Sequence, residues 1–152
     1  MTPRWDLAVY DRYDQLTLVI EIKNKLDTTP EWASRLRRNI LAHGVYPNAQ
    51  FFLLAFPDKF YLWADSNRKH NTDEPDYMID ARPLLQPYFE QTGVNATHIS
   101  GQSLEFIVAL WMGEVMHSEQ LPNQLKAEHQ WLVDSGLYAA ILGGRFVQEV
   151  LV

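Results

Sequence analysis

The stretch LTLVIEIKNKL, from Leu16 to Leu26, constrains the fold more than any other part of this chain. Its aliphatic and β-branched residues are typical of a buried β-strand, in which successive side chains point to opposite faces of the sheet. Glu21 and Lys23 are two positions apart, so both lie on the same face. Because burying charged side chains is costly unless they are paired, these two residues are the first candidates for a functional site.

A second strand candidate, WDLAVY from Trp5 to Tyr10, precedes this stretch, and the polar residues between the two predict a hairpin. A turn centred between Tyr13 and Asp14 pairs the strands in an antiparallel register. In that register Asp6 lies directly opposite Glu21.

The two faces of the predicted hairpin differ in polarity. One face carries the two acids together with Ala8, Val19 and Lys23. The opposite face collects aliphatic residues, namely Leu7, Val9, Leu18, Ile20 and Ile22. A slip of one residue would carry Asp6 to the aliphatic face at a high cost in free energy, so the hydrophobic pattern itself supports the register.

The segment TTPEWASRLRRNILAHG, residues 28–44, has the signals of a helix. Thr28, followed three residues later by Glu31, predicts a capping box at its start. Pro30 falls in the first turn, where proline is tolerated, and Gly44 suits the C-terminal cap. The predicted buried stripe consists of the apolar residues at four-residue spacing, Trp32, Leu36 and Ile40.

Three arginines give this predicted helix a positive surface, namely Arg35, Arg37 and Arg38. Two interpretations of them are equally supported by the sequence. They either solvate the outer face and pair with acids, or they contact the phosphates of a nucleic acid.

The remaining elements divide the chain into two parts. QFFLLAF and KFYLWA predict a second hairpin with its turn at Pro57 and Asp58, whereas residues 65–77 predict an exposed loop. Helices are predicted over residues 80–91 and 102–117, and a third is predicted from Pro122 to near Gly136. The tail RFVQEVLV predicts a final strand or a helix. The tryptophans Trp63, Trp111 and Trp131 are interpreted as anchors of the core or of a dimer interface.

Together these elements predict one α/β domain over residues 1–152, with a mixed sheet of four or five strands and flanking helices. Residues 1–64 would form the core and residues 80–152 a helical supporting region. The chain has no cysteine, so a metal would have to be held by oxygen or histidine. Its net charge of −6 disfavours a broad nucleic-acid footprint. No signal peptide or membrane span is evident, which predicts a cytoplasmic protein without a membrane partner.

Asp6 on one strand and Glu21-Ile22-Lys23 on its partner, with a capped helix and further strands following, resembles the PD-(D/E)XK nuclease superfamily. It looks closest to nuclease-like domains found beside restriction and other DNA-processing systems. The resemblance covers about the first 64 residues. It implies a restriction-endonuclease-like core, built as β-hairpin, helix and β-hairpin, followed by the helical C-terminal half.

The resemblance also implies hydrolysis of DNA phosphodiester bonds with the help of a divalent cation. Asp6 and Glu21 would be metal ligands, and the backbone carbonyl of Ile22 a further ligand. Because these donors are hard oxygens, the metal would be Mg²⁺ or Mn²⁺. Lys23 would orient or deprotonate the attacking water and stabilise charge on the phosphate. The implied partners are DNA and either a second copy of the chain or a larger DNA-processing complex.

Two other interpretations stay open at this point, and one departure from the family pattern has three explanations. The charged residues could form a cross-strand ion-pair cluster on a solvated, purely structural or oligomerising face. The domain could be a catalytically inactive nuclease-fold module that binds DNA or a protein partner. Finally, the family's core usually opens with a helix and a strand ahead of the Asp strand, which here begins close to Met1. The helical second half could supply these elements, the recorded start could lie downstream of the true one, or the domain no longer cuts.

Overall fold

The structure, a computed structural model, describes residues 5–42, 49–64, 74–118 and 127–148. Within these residues the strands are β1 (Leu7–Tyr10), β2 (Leu16–Ile22), β3 (Phe51–Ala55), β4 (Lys59–Trp63), β5 (Tyr77–Asp80) and β6 (Arg145–Gln148). They form one sheet in the order β5-β4-β3-β2-β1-β6. β2 and β3 are parallel and the other neighbours are antiparallel, so the sheet is mixed as predicted but has six strands.

The helices are α1 (Pro30–Ala42), α2 (Arg82–Thr92), α3 (Gly101–Met116), α4 (Gln130–Asp134) and α5 (Leu137–Ile141). A 3₁₀ turn, Ala127–His129, precedes α4. The helix α1 provides the crossover between the parallel strands β2 and β3, which a hairpin turn could not connect. The α/β class predicted from the sequence is therefore confirmed.

The register of the first hairpin matches the prediction over the body of the strands. Leu7 lies opposite Ile20 and Ala8 opposite Val19. The register then shifts by one residue, because Tyr10 pairs with Leu16. The predicted turn centre was wrong at this end, where residues 11–15 form the loop and the Asp11 side chain accepts hydrogen bonds from two of its backbone amides.

Both faces of the sheet are covered by apolar side chains. The face predicted to be aliphatic packs with α2, α3, α4 and α5 into the larger core. The opposite face carries a second, aromatic-rich cluster that packs against α1, and its members include Val19, Phe52 and Trp63. The charged residues of the first hairpin therefore lie at the margin of a covered face, and the interpretation as an entirely solvated face is wrong. The three tryptophans Trp63, Trp111 and Trp131 are all buried within the chain.

The start of α1 differs from the prediction by one residue. The Oγ1 of Thr29 accepts a hydrogen bond from the backbone amide of Trp32, so Thr29 is the capping residue. Thr28 is buried instead, and its hydroxyl lies 2.9 Å from the hydroxyl of Tyr61. The buried stripe is also rotated, to Ala33, Ser34 and Arg37, whereas the predicted stripe of Trp32, Leu36 and Ile40 is half-buried. The predicted cap at Gly44 lies outside the described residues.

The second half contains one strand that the sequence did not predict. β5 occupies Tyr77–Asp80, so the loop predicted to reach Tyr77 ends before it and the helix predicted from Asp80 begins at Arg82. Residues 65–73 of that loop lie outside the description. The helix predicted over residues 102–117 is confirmed as α3.

The described part of the last predicted helix is the 3₁₀ turn followed by α4, and Pro122 lies outside the described residues. The predicted end near Gly136 is confirmed, because Gly136 adopts the left-handed conformation with φ of 84° shortly after α4. The sequence did not predict α5, which follows it. The described part of the tail forms the strand β6, which settles the alternative of a tail helix.

Gly144 packs closely between the end of α5 and the first strand, and replacing it with alanine is expected to destabilise the fold. A Cβ at this position would overlap the backbone carbonyl oxygen of Tyr10 and lie 3.0 Å from that of Ile141. Backbone atoms cannot rotate away as a side chain does, so we expect the free energy of unfolding to fall by about 2 kcal/mol or more in urea denaturation. Gly101→Ala is the matched control, because its added methyl would meet no atom within 4 Å. Equal stability of the two variants would contradict this packing.

Candidate functional site

Backbone amides bond the carboxylates of Asp6 and Glu21 where β2 ends beside the start of β1. The backbone amide of Asp6 donates to Glu21 Oε1 at 3.3 Å, and the backbone amide of Ile22 donates to Asp6 Oδ2 at 2.7 Å. The regular pairing of β1 begins one residue later, at Leu7. The Asp6 carboxylate therefore occupies the position of a strand carbonyl, which fixes it beside the end of β2.

Lys23 completes a cluster of three charged residues. Its Nζ lies 4.0 Å from Glu21 Oε2, and its backbone amide donates to the Ala55 carbonyl of β3 at 3.0 Å. The Glu21 side chain is 9% exposed and that of Lys23 is 45% exposed. The structure therefore brings together the three residues that the sequence singled out, with one carboxylate nearly enclosed and the ammonium reaching solvent.

The Ile22 carbonyl lies on the same side of β2 as the Asp6 carboxylate. The amide and carbonyl of one strand residue point to the same side of the strand, and the Ile22 amide bonds the Asp6 carboxylate. The Ile22 carbonyl oxygen is consequently directed to the β1 side of β2. The Ile22 carbonyl therefore lies on the side of β2 where its own amide bonds the Asp6 carboxylate.

This donor set fits a hard divalent cation in composition. Carboxylate and carbonyl oxygens are the ligands that Mg²⁺ and Mn²⁺ prefer, and Mg²⁺ commonly uses only one or two protein carboxylates while keeping several waters. In the part of the chain that the structure describes, no group of three or more histidine, aspartate or glutamate side chains could hold a metal. A cation at Asp6 and Glu21 would thus depend on water or substrate oxygens for the rest of its coordination.

The three arginines of α1 do not form one positive surface. Arg35 and Arg38 are exposed, whereas Arg37 is only 4% exposed. The Arg37 guanidinium carbon lies 5.4 Å from the centroid of the Phe52 ring and 5.1 Å from that of Trp63. The prediction that Arg37 belongs to the outer face was wrong, because the arginine stem and planar head cover aromatic surface of the second core cluster.

Another acidic cluster, close to the end of the polar loop, has structural partners. Asp76 Oδ2 accepts from the Ala64 amide at 2.7 Å, and Asp80 binds Arg82 through both carboxylate oxygens at 2.9 Å. Hydrogen bonds from Arg82 lower the pKa of the Asp80 carboxyl below its usual range. These contacts fasten β5 and the start of α2.

One polar pair in the helical layer was not predicted from the sequence. The Tyr88 hydroxyl on α2 donates to Glu114 Oε2 on α3 at 2.5 Å. The pKa of Tyr88 is raised by burial and by the carboxylate. The two residues belong to different helices and share no motif, so only the packing of α2 on α3 reveals them.

The chain has no match among protein-family models, curated proteins or solved structures. Among the described helices, none combines the length and the apolar character required to cross a membrane. The functional assignment accordingly depends on the geometry at Asp6 and Glu21 and on the sequence resemblance.

Proposed function

We propose that this protein is a metal-dependent nuclease of the PD-(D/E)XK type that hydrolyses DNA phosphodiester bonds. The observation that carries the proposal is that backbone amides of Asp6 and Ile22 hold the carboxylates of Glu21 and Asp6 at one end of the hairpin, with Lys23 at the Glu21 carboxylate. A carboxylate that is nearly enclosed beside a second carboxylate is unfavourable unless a cation or hydrogen bonds compensate it. The same arrangement is the one required to hold a cation next to an anionic DNA backbone.

Each residue of the cluster has a distinct role in the proposed reaction. A bound divalent cation would supply charge neutralisation for the scissile phosphate and a site for activating water. Asp6 and Glu21 would hold that cation, with the Ile22 carbonyl as a further ligand. Lys23, with its ammonium exposed beside Glu21, would orient the attacking water and stabilise the charge that develops on the phosphate. Arg35 and Arg38, which are exposed, remain candidates for contacts with flanking phosphates.

The position of β6 supports this proposal. The resemblance implies a helix and a strand ahead of the Asp strand in the chain, and in this fold β6 pairs antiparallel with β1 along Leu7–Tyr10. The helix α3 packs against both β6 and β2. This placement favours the interpretation that the second half of the chain provides the elements that usually precede the Asp strand.

A second candidate function is a catalytically inactive nuclease-fold module that binds DNA or a protein partner. It is favoured by the contacts that the charged cluster already makes within the chain. Two backbone amides bond the carboxylates of Asp6 and Glu21, and Lys23 approaches the latter. These contacts partly compensate the two charges without a metal.

Binding of Mg²⁺ and Mn²⁺ is the first test of the site. We expect isothermal titration calorimetry to show saturable binding to the wild type and an affinity at least about tenfold lower for Glu21→Gln, because a neutral amide replaces an anionic ligand. Glu31→Gln removes an exposed acid from the first turn of α1 and is the matched control. Indistinguishable binding by the wild type and Glu21→Gln would exclude a metal site at Glu21.

Cleavage assays separate the two candidate functions. The purified protein is incubated with supercoiled plasmid, linear duplex and single-stranded DNA, with Mg²⁺, with Mn²⁺ and with a chelator. Metal-dependent cleavage that disappears in Glu21→Gln is the expected result. Retarded migration of DNA without cleavage would support the inactive module, and neither cleavage nor retardation would contradict both roles on DNA.

A further inference from the structure

A large open groove lies in the helical layer, on the other side of the sheet from Asp6 and Glu21. It has a volume of about 860 Å³ and is formed by residues of α2, α3, α4, α5 and β6. Leu110 and Phe146, each 36% exposed, contribute apolar surface to it. Small-molecule sites commonly measure roughly 300 to 1,000 Å³ and are mostly apolar with a few polar groups. The groove has the size and character of such a site.

Among the described residues that line the groove, the charged side chains other than histidine are acidic. Its described lining includes Glu114 and Glu128 but no lysine or arginine. The ring of His117 donates from Nδ1 to the Gly113 carbonyl at 2.9 Å, and Trp111 Nε1 donates to His129 Nε2 at 3.4 Å. Glu114 is exposed and Glu128 is half-buried, so both carboxylates can be reached from the groove. The described lining is therefore complementary to a cation.

Glu114 is the acid best placed to receive that cation. Tyr88 donates to its Oε2, which orients the carboxylate and leaves Oε1 for a second partner. Burial and the neighbouring carboxylate raise the pKa of Tyr88, so the phenol keeps its proton. Among the residues that the structure describes, no lysine or arginine forms an ion pair with Glu114.

We propose that this groove binds a small organic cation, namely a primary amine or a guanidinium carried on an apolar body. The charged group lies at Glu114 and the apolar body lies against Leu110 and Phe146. A second copy of the chain is a poorer occupant, because it would bring further acids to an acidic groove and each chain carries a net charge of −6. This inference is independent of the proposed nuclease function.

Calorimetric titration with phenylbutylamine and with phenylbutanol tests the proposal, since the two probes share an apolar body and differ in charge. We expect the wild type to bind the amine about tenfold more tightly than the alcohol. Glu114→Gln should remove most of this preference while leaving the affinity for the alcohol within about twofold, because the amide can still accept from Tyr88. Glu105→Gln, on the same helix but outside the groove, should behave as the wild type.

Several outcomes would overturn the proposal. They are an absence of amine binding at about 10 mM probe, equal affinities of the wild type for the two probes, and a preference for the amine that survives in Glu114→Gln. Sedimentation velocity provides a separate check on the occupant. A wild-type dimer that Leu110→Arg converts to a monomer would show that a second copy covers the groove instead.

Discussion

Lys23→Met is expected to reduce metal-dependent DNA hydrolysis by about a hundredfold or more while leaving divalent-cation affinity within about threefold. The lysine lies beside Glu21 but would not ligate the cation, since an ammonium has no lone pair to offer. Methionine keeps much of the aliphatic stem and removes the charge. Single-turnover cleavage and calorimetric metal titration on the same preparation measure the two quantities.

Lys25→Met is the matched control for this prediction. Lys25 is two residues beyond Lys23, and its Nζ lies 5.2 Å from the centroid of the Trp32 ring. The substitution therefore removes a nearby positive charge without touching the carboxylates of Asp6 and Glu21. A similar loss of cleavage in both variants would mean that local positive charge, rather than a specific role of Lys23, supports activity. A cleavage rate unchanged in Lys23→Met would remove the lysine from the mechanism.

Trp111→Ala is expected to have the largest effect on stability. Trp111 is 1% exposed, and its ring lies 5.3 Å from that of Phe60 on the sheet and 6.1 Å from that of Trp131. Truncating a buried tryptophan removes transfer free energy and leaves a cavity between the sheet and the helical layer. We expect the free energy of unfolding to fall by about 4 kcal/mol and the melting temperature by roughly 10 °C.

Trp32→Ala provides the comparison for this loss. Trp32 is only half-buried and contacts Phe56 in the smaller core cluster, so its truncation should cost less than half as much. Urea denaturation followed by circular dichroism measures both variants. Equal losses would indicate that the groove side of α3 is packed more loosely than the structure shows.

Alternating patterns explain why the first hairpin could be predicted from the sequence. Leu7, Val9 and Ile20 alternate with residues of the other face, and only one register puts all of them in the core. Because that register also determines which residues lie opposite each other, the convergence of Asp6 and Glu21 followed from it. The loop between the strands was less predictable, since it combines two hydrogen bonds to the Asp11 side chain with backbone hydrogen bonds between Asp11, Asp14 and Gln15.

Arg37 shows where reasoning from residue type fails. Arginine is usually exposed, and no local pattern indicates that Phe52 and Trp63 lie beneath α1 and contact the Arg37 guanidinium. Phe52 and Trp63 become neighbours only when β3 and β4 pair in the folded chain. The same limit applies to Tyr88 and Glu114, whose contact depends on how two helices pack.

The short edge strand β5 was not predicted from the sequence. β5 has only four residues and alternates between exposed and buried positions, so its sequence does not stand out from the polar loop before it. Its pairing with β4 determines its conformation more than its own propensity does. By contrast, α3 was predicted well because its buried residues recur through four turns.

The attachment of β6 to β1 has a consequence for synthesis on the ribosome. Arg145 bonds Asp14 across a sequence separation of 131 residues, and β6 covers the outer edge of the strand that follows Asp6. During translation that edge stays open until nearly all of the described chain has emerged, and open strand edges are prone to pair with other chains. The nascent hairpin with Asp6 and Glu21 would therefore need protection from a chaperone, or rapid completion of the chain, before the site can assemble.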